Sequence, residues 1–126
     1  MIYLYKIIMK LNKSLLEEFR KSDSKILAVT KYLDKDSTLE VIEQLETEYP
    51  DILEWIWENR VDILKEKNID REKVHFIWNI QSKEIKDIIK YASVVHSLDD
   101  IKHIRKFEDI CSKSWNWIQI FLQIKL

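Results

Sequence analysis

Residues 74–85, VHFIWNIQSKEI, read as a β-strand running straight into an α-helix. Val74, Phe76 and Ile77 are strand formers, and the stretch from Ser82 to Ile85 opens a helix. Trp78 falls at the turn between the two. A turn that tight ordinarily takes glycine, because glycine alone accepts positive φ and close backbone approach at no steric cost. The chain supplies its largest side chain there instead.

The same strand-then-helix unit recurs on either side. SLLEEFRK (14–21) is a leading helix, and KILAVTK (25–31) is a continuous apolar strand of the kind buried on both faces. TLEVIEQLETEY (38–49) is helical, with Leu39, Ile42 and Leu45 on one side, Thr38 as its cap and Pro50 closing it. LEWIWE (53–58) and VDILKEK (61–67) form the next strand and helix, followed by KVHFIW (73–78) and SKEIKDIIKYA (82–92). SVVHSL (93–98) is a fourth strand, DIKHIRKFEDICSKS (100–114) a helix begun by Asp99 or Asp100, and IQIFLQIKL (118–126) a fifth strand. Four such alternations predict parallel βα units with right-handed crossovers. A doubly wound sheet and part of a (β/α)₈ barrel both fit. A full barrel needs around 250 residues, and this chain has 126.

Composition narrows the function classes. The chain is 46% hydrophobic and 34% charged with a formal net charge of −1, and its charges are interspersed. That is the balance of a single globular domain spanning residues 1–126, with no electrostatic footprint for nucleic acid or acidic lipid. Small molecules or other proteins are the expected partners. The apolar N-terminus, MIYLYKIIMK, is broken by Lys6, lacks a small-residue cleavage site and is too short to span a bilayer. It reads as an extension ahead of the first helix of a cytoplasmic chain. Cys111 is the only cysteine, so no intramolecular disulfide forms, and on its helix it reads as a small buried hydrophobe.

In either fold, function gathers at the C-terminal ends of the strands. Those ends hold Lys31, then Glu58, Asn59 and Arg60, then Asn79 to Gln81, then His96 and Ser97. A lysine closing an apolar strand has two readings. Desolvation can lower its pKa and free the amine for Schiff-base chemistry, or its stem can lie on the strand while the ammonium reaches water. His75, inside an apolar strand, reads more readily as a core or supporting histidine than as a catalyst. His96 and Ser97 fit either role, and His103 sits on a charged helix facing water.

Taken in order, ILAVTK, ENRVDIL, VHFIWNIQSKEIK and VVHSLDDIK resemble the pyridoxal phosphate homeostasis proteins. The single domain of that family is a barrel similar to the N-terminal domain of alanine racemase. The resemblance spans residues from about 10 to 126. It implies a partial (β/α) barrel, truncated TIM-barrel-like, of about five parallel strands with a leading helix and without the C-terminal strands. It implies pyridoxal 5′-phosphate as cofactor, held by Lys31 as a Schiff base and lined by Asn59, His75, Gln81, Ser82 and Ser97. The function implied is cofactor binding and delivery, as a carrier rather than a catalyst. The alternative is a fold-type III pyridoxal phosphate enzyme such as an amino-acid racemase, which needs a second acid/base from another domain. An inactive fragment is a third reading.

The sequence departs from the family pattern in two ways. It stops near the fifth strand, so the loops that hold phosphate in complete barrels are expected to be missing, and open barrel edges imply self-association. It also contains no glycine, where about nine would be usual, and five tryptophans. Trp57 stands where the family has the glycine before E-N, Trp78 at the glycine of H-F-I-G, and Trp115 near a glycine preceding the fifth strand. Some bacterial lineages read UGA as glycine. The pattern implies that UGA-glycine codons have been decoded here as tryptophan.

Overall fold

In the computed structural model, which describes residues 11–124, each of the first four strands is followed by a helix. The N-terminal decapeptide and the last two residues lie outside the described residues. Helix α1 (Lys13–Lys21) starts where the Asn12 side chain accepts from the Leu15 N–H, and Arg20 and Lys21 complement the dipole at its end. Strand β1 is Ile26–Val29, and α2 is Lys35–Glu48. Strand β2 is Leu53–Glu58, α3 is Val61–Lys67, and β3 is Val74–Ile77. Helix α4 (Ile85–Tyr91), strand β4 (Val94–Leu98), helix α5 (Ile101–Ser114) and strand β5 (Gln119–Leu122) follow.

All neighbouring strands pair in parallel, in the order β1-β2-β3-β4-β5. A doubly wound sheet reverses its strand order at a switch point; this sheet has none. The barrel-type reading therefore holds, with the crossover helices on one face. On that face Ile56, Val74, Phe76 and Val95 form one buried cluster with Leu64, Ile85, Ile88 and Phe107 from the helices. Leu16, Val41, Leu45, Tyr49 and Ile52 make a second cluster under α1. Because strand side chains alternate, Trp57, His75 and His96 project from the opposite, inner face.

Four expectations are corrected. The cap of α2 is Asp34, whose side chain accepts from the Ser37 N–H at 2.8 Å, while Thr38 sits inside the helix and donates to the Asp34 carbonyl. With the start moved back, the buried stripe is Thr38, Val41, Ile42 and Leu45, and Leu39 is turned out at 43% exposure. The helix expected over 82–92 is divided into a 3₁₀ turn (Ser82–Glu84) and α4. Strand β1 is not buried on both faces: Val29 is 49% exposed, and among the described residues the strand pairs on one edge only, with β2. Its apolar run reflects one packed face and one open inner face.

At the opposite end of the sheet, Arg71 acts as a staple. Its Nε donates to the Ile89 carbonyl, and its Nη2 donates to the carbonyls of Ala92 and Trp117. One guanidinium thereby ties the approaches to β4 and β5 together.

Candidate functional site

The C-terminal strand ends bring together most of the residues singled out from sequence. Lys31 follows β1 by two residues and is half-buried on the inner face. Its Nζ stands 4.8 Å from the Trp57 ring centroid and 5.0 Å from that of Tyr32, within cation–π range. The Trp57 indole is itself fixed, because its Nε1–H donates to the Ile77 carbonyl at 3.2 Å. The lysine head thus faces an aromatic wall at the C-terminal end of the strands.

Asn59 and Gln81 line one cavity of about 460 Å³, together with Arg60, Asp62, Phe76, Trp78, Asn79 and Glu84. Its acids are engaged internally. Arg60 forms a two-point pair with Asp62 and holds that carboxyl below the ordinary carboxylate range. The Gln81 N–H donates to Glu84 Oε2 at 3.3 Å. What remains for a ligand is a rim of side-chain amides with Trp78 at its edge. Ser82 begins the 3₁₀ turn with an exposed side chain, and its carbonyl accepts from Lys106 Nζ. Ser97 lies on β4 with φ 64°, a left-handed conformation that opens an irregularity in the β4–β5 pairing. It is half-buried and reaches neither the amide rim nor Lys31 through any contact described.

His75 and His96 meet because Ile77 pairs with His96 in the parallel register, which places the two imidazoles on adjacent strands of the inner face. His75 Nδ1 lies 3.0 Å from His96 Nε2, and the rings stack with centroids 5.2 Å apart. Phe121 of β5 stacks on His96 in turn at 4.8 Å. Burial, aided by His96, pushes the His75 pKa down to about 4, and burial lowers that of His96. Two neutral rings can share one N–H···N bond, whereas a second proton would put like charges in contact.

This pair should make the fold acid-sensitive. In the unfolded chain His75 takes up a proton near pH 6.5; in the folded one it resists until about 4. The stabilisation is therefore complete above about pH 6.5 and drains away as the pH falls towards 4. We expect a loss of about 1–2 kcal/mol across that window, discounted for the solvent side of the pair. Urea midpoints measured from pH 7.5 to 4.5 test this. His75→Phe should flatten the curve, and an unchanged slope in that variant would exclude His75 as its source.

A larger cavity, about 560 Å³, lies away from the strand ends, against Ile104, Phe107, Cys111, Trp115 and Ile120. Its lining is mainly apolar, and burial pushes the Cys111 thiol above its ordinary value, which disfavours a reactive thiolate. Among the described residues no group of three or more His, Cys, Asp or Glu side chains could hold a metal ion, and no helix is long and apolar enough to cross a membrane.

Two features escaped the sequence reading. Glu58, counted among the strand-end residues, does not face the inner side. It is 1% exposed and pairs in the helix layer with Lys67 of α3, which is 3% exposed. The available signal was that Glu58 shares the strand's alternation with Ile56, which points it to the same, buried face. The second concerns backbone. Among the described residues, positive φ occurs at Trp55 (90°), Asn68 (44°), Ser97 (64°) and Trp115 (57°). Trp57 and Trp78, the glycine-like positions by motif, do not require it, because Trp57 is regular strand and Trp78 an open bend.

No known family pattern matches the chain, and no curated protein matches it. Solved structures do. Among them is PipY of Synechococcus elongatus with PLP bound, at a TM-score of 0.72 and 18% identity, with 88% of this chain and 53% of that one covered. The same protein without PLP gives a TM-score of 0.72 over 52% of its length. The chain spans about half the length of these relatives. Over that span its five parallel strands and their helices have the fold of part of the PipY barrel.

Proposed function

We propose that the chain binds pyridoxal 5′-phosphate covalently through Lys31 and serves as a carrier of the cofactor rather than as a catalyst. The observation that carries this reading is the position of the Lys31 amine, at a strand end on the inner face and against the Trp57 ring, in a fold shared with PLP-bound PipY. When bound, the cofactor supplies an aldehyde carbon open to an amine. Condensation would join that carbon to Lys31 Nζ by one C=N bond, and the carbonyl oxygen would leave as water with the two protons of the neutral amine. Lys31 supplies the nucleophilic nitrogen, and the Trp57 and Tyr32 rings bound the space around it. The amides of Asn59 and Gln81 offer neutral donors for the cofactor's polar substituents. His75, Ser82 and Ser97 complete the proposed lining; His75 acts by holding His96 in place. Borohydride reduction after mixing with pyridoxal phosphate, followed by peptide mapping, tests the assignment. A label on Lys31 supports it, and a label on Lys25 or Lys35 in its place would overturn it.

Two further elements belong to this reading. Among the described residues β1 and β5 each pair on one side only, and Phe121 and Leu122 of β5 are exposed. Such edges favour self-association. The glycine-free composition together with Trp55 and Trp115 at positive φ supports glycine as the residue inserted at the tryptophan positions. UGG codons at 55 and 115 would rule this out.

A further inference from the structure

Thr30, the residue before Lys31, is fully buried, and each of its polar atoms is held. Its N–H donates to the Trp57 carbonyl at 3.2 Å. Its carbonyl accepts from Lys67 Nζ at 2.8 Å and from the Leu33 N–H at 2.9 Å. Its hydroxyl donates to Glu58 Oε1 at 2.7 Å, and Lys67 Nζ also pairs with that oxygen.

We propose that Glu58 and Lys67 are positioning residues for Lys31: the buried pair clamps the peptide of Thr30 and so aims the lysine at the inner face. The proposal rests on Lys31 being the point of attachment. Strand β1 ends at Val29, so beyond the Thr30 N–H no ladder bond fixes the chain. Side chains alternate across a strand. Holding Thr30 towards the helix layer therefore turns Lys31 the other way, where its Nζ meets the Trp57 ring. Stability alone gives little reason for the pair. Desolvating two charges is costly, apolar residues of similar volume often serve as well, and Glu58 Oε2 has no hydrogen-bond partner among the described residues. What the pair supplies that apolar side chains cannot is a donor on the Thr30 carbonyl and an acceptor for its hydroxyl.

The test is the rate of adduct formation with pyridoxal 5′-phosphate, followed by absorbance over a range of cofactor concentrations. Glu58→Leu/Lys67→Met removes both charges together and avoids stranding one of them. Thr30→Val keeps the ion pair and removes only the hydroxyl. Both folded variants should show a saturating rate about 10- to 100-fold below the parent, with the half-saturating concentration little changed and some label diverted to other lysines. A folded variant of either kind that reacts at the parental saturating rate, with label confined to Lys31, would overturn the proposal. Failure of the parent chain itself to take label at Lys31 would instead overturn the attachment reading.

Discussion

Lys31→Ala abolishes covalent uptake of pyridoxal phosphate, a fall of about 100-fold or more in adduct formed under fixed conditions, while the fold survives. The side chain is half-buried and makes no ion pair among the described residues. Truncation forfeits its contacts with two aromatic rings, worth about 0.5–1 kcal/mol at an exposed site. Lys25→Ala and Lys35→Ala should leave uptake unchanged. Lys25 reaches the Asp51 carbonyl at the far end of β1, and Lys35 opens α2. Lysine-to-arginine substitution at position 31 separates chemistry from charge: the cation remains but has no nucleophilic amine, so uptake should be lost there too. Visible absorbance after dialysis reads the result, and full uptake by Lys31→Ala would remove this residue from the function.

The second large effect has an unusual sign. Trp115→Gly and Trp55→Gly should each stabilise the chain, although both delete an aromatic side chain. Trp115 holds the left-handed position that ends α5, with φ 57°, and is 93% exposed, so glycine relieves strain and sacrifices almost no packing. Trp55 lies inside β2 at φ 90°, where a Cβ is poorly accommodated. Its indole is partly buried against the core and lies under Lys73 Nζ, so part of the gain is returned. The Trp→Ala variants isolate the backbone: alanine also removes the ring but keeps the Cβ. Glycine should exceed alanine by about 1–3 kcal/mol at each site, or roughly 3–5 °C in melting temperature per kcal/mol in a domain this size. Alanine equal to glycine at both positions would show that neither backbone is strained.

The strands were legible because each is a short run of β-branched and aromatic residues ending at a polar cluster. The parallel order followed from the intervening helices. Periodicity left the choice between the two parallel architectures open, since it is identical in both; the ordered strand-end motifs implied the partial barrel, and the strand order bears this out. The start of α2 was missed because Asp34 and Thr38 are both good capping residues, one turn apart, and the tertiary burial of Thr38 decides between them. At the site, Lys31, Asn59 and Gln81 could be placed from their strand-end positions. The His75–His96 contact could not, because it depends on register between strands. Nor could the role of Arg71, whose three carbonyl partners lie 18 to 46 residues further along the chain.

The sequential strand order bears on how the chain is made. Every registered pair joins residues that lie 18 positions apart, as with Ile56 and Val74, to 28 apart, as with Val29 and Trp57. No strand waits for a distant one. A nascent chain leaving the ribosome N-terminus first, at about 5–20 residues per second, offers each new strand a template that has already emerged. Short loop closures of this kind favour rapid assembly. Growth can proceed by addition at one edge, with β2 seated on β1 before β3 has emerged.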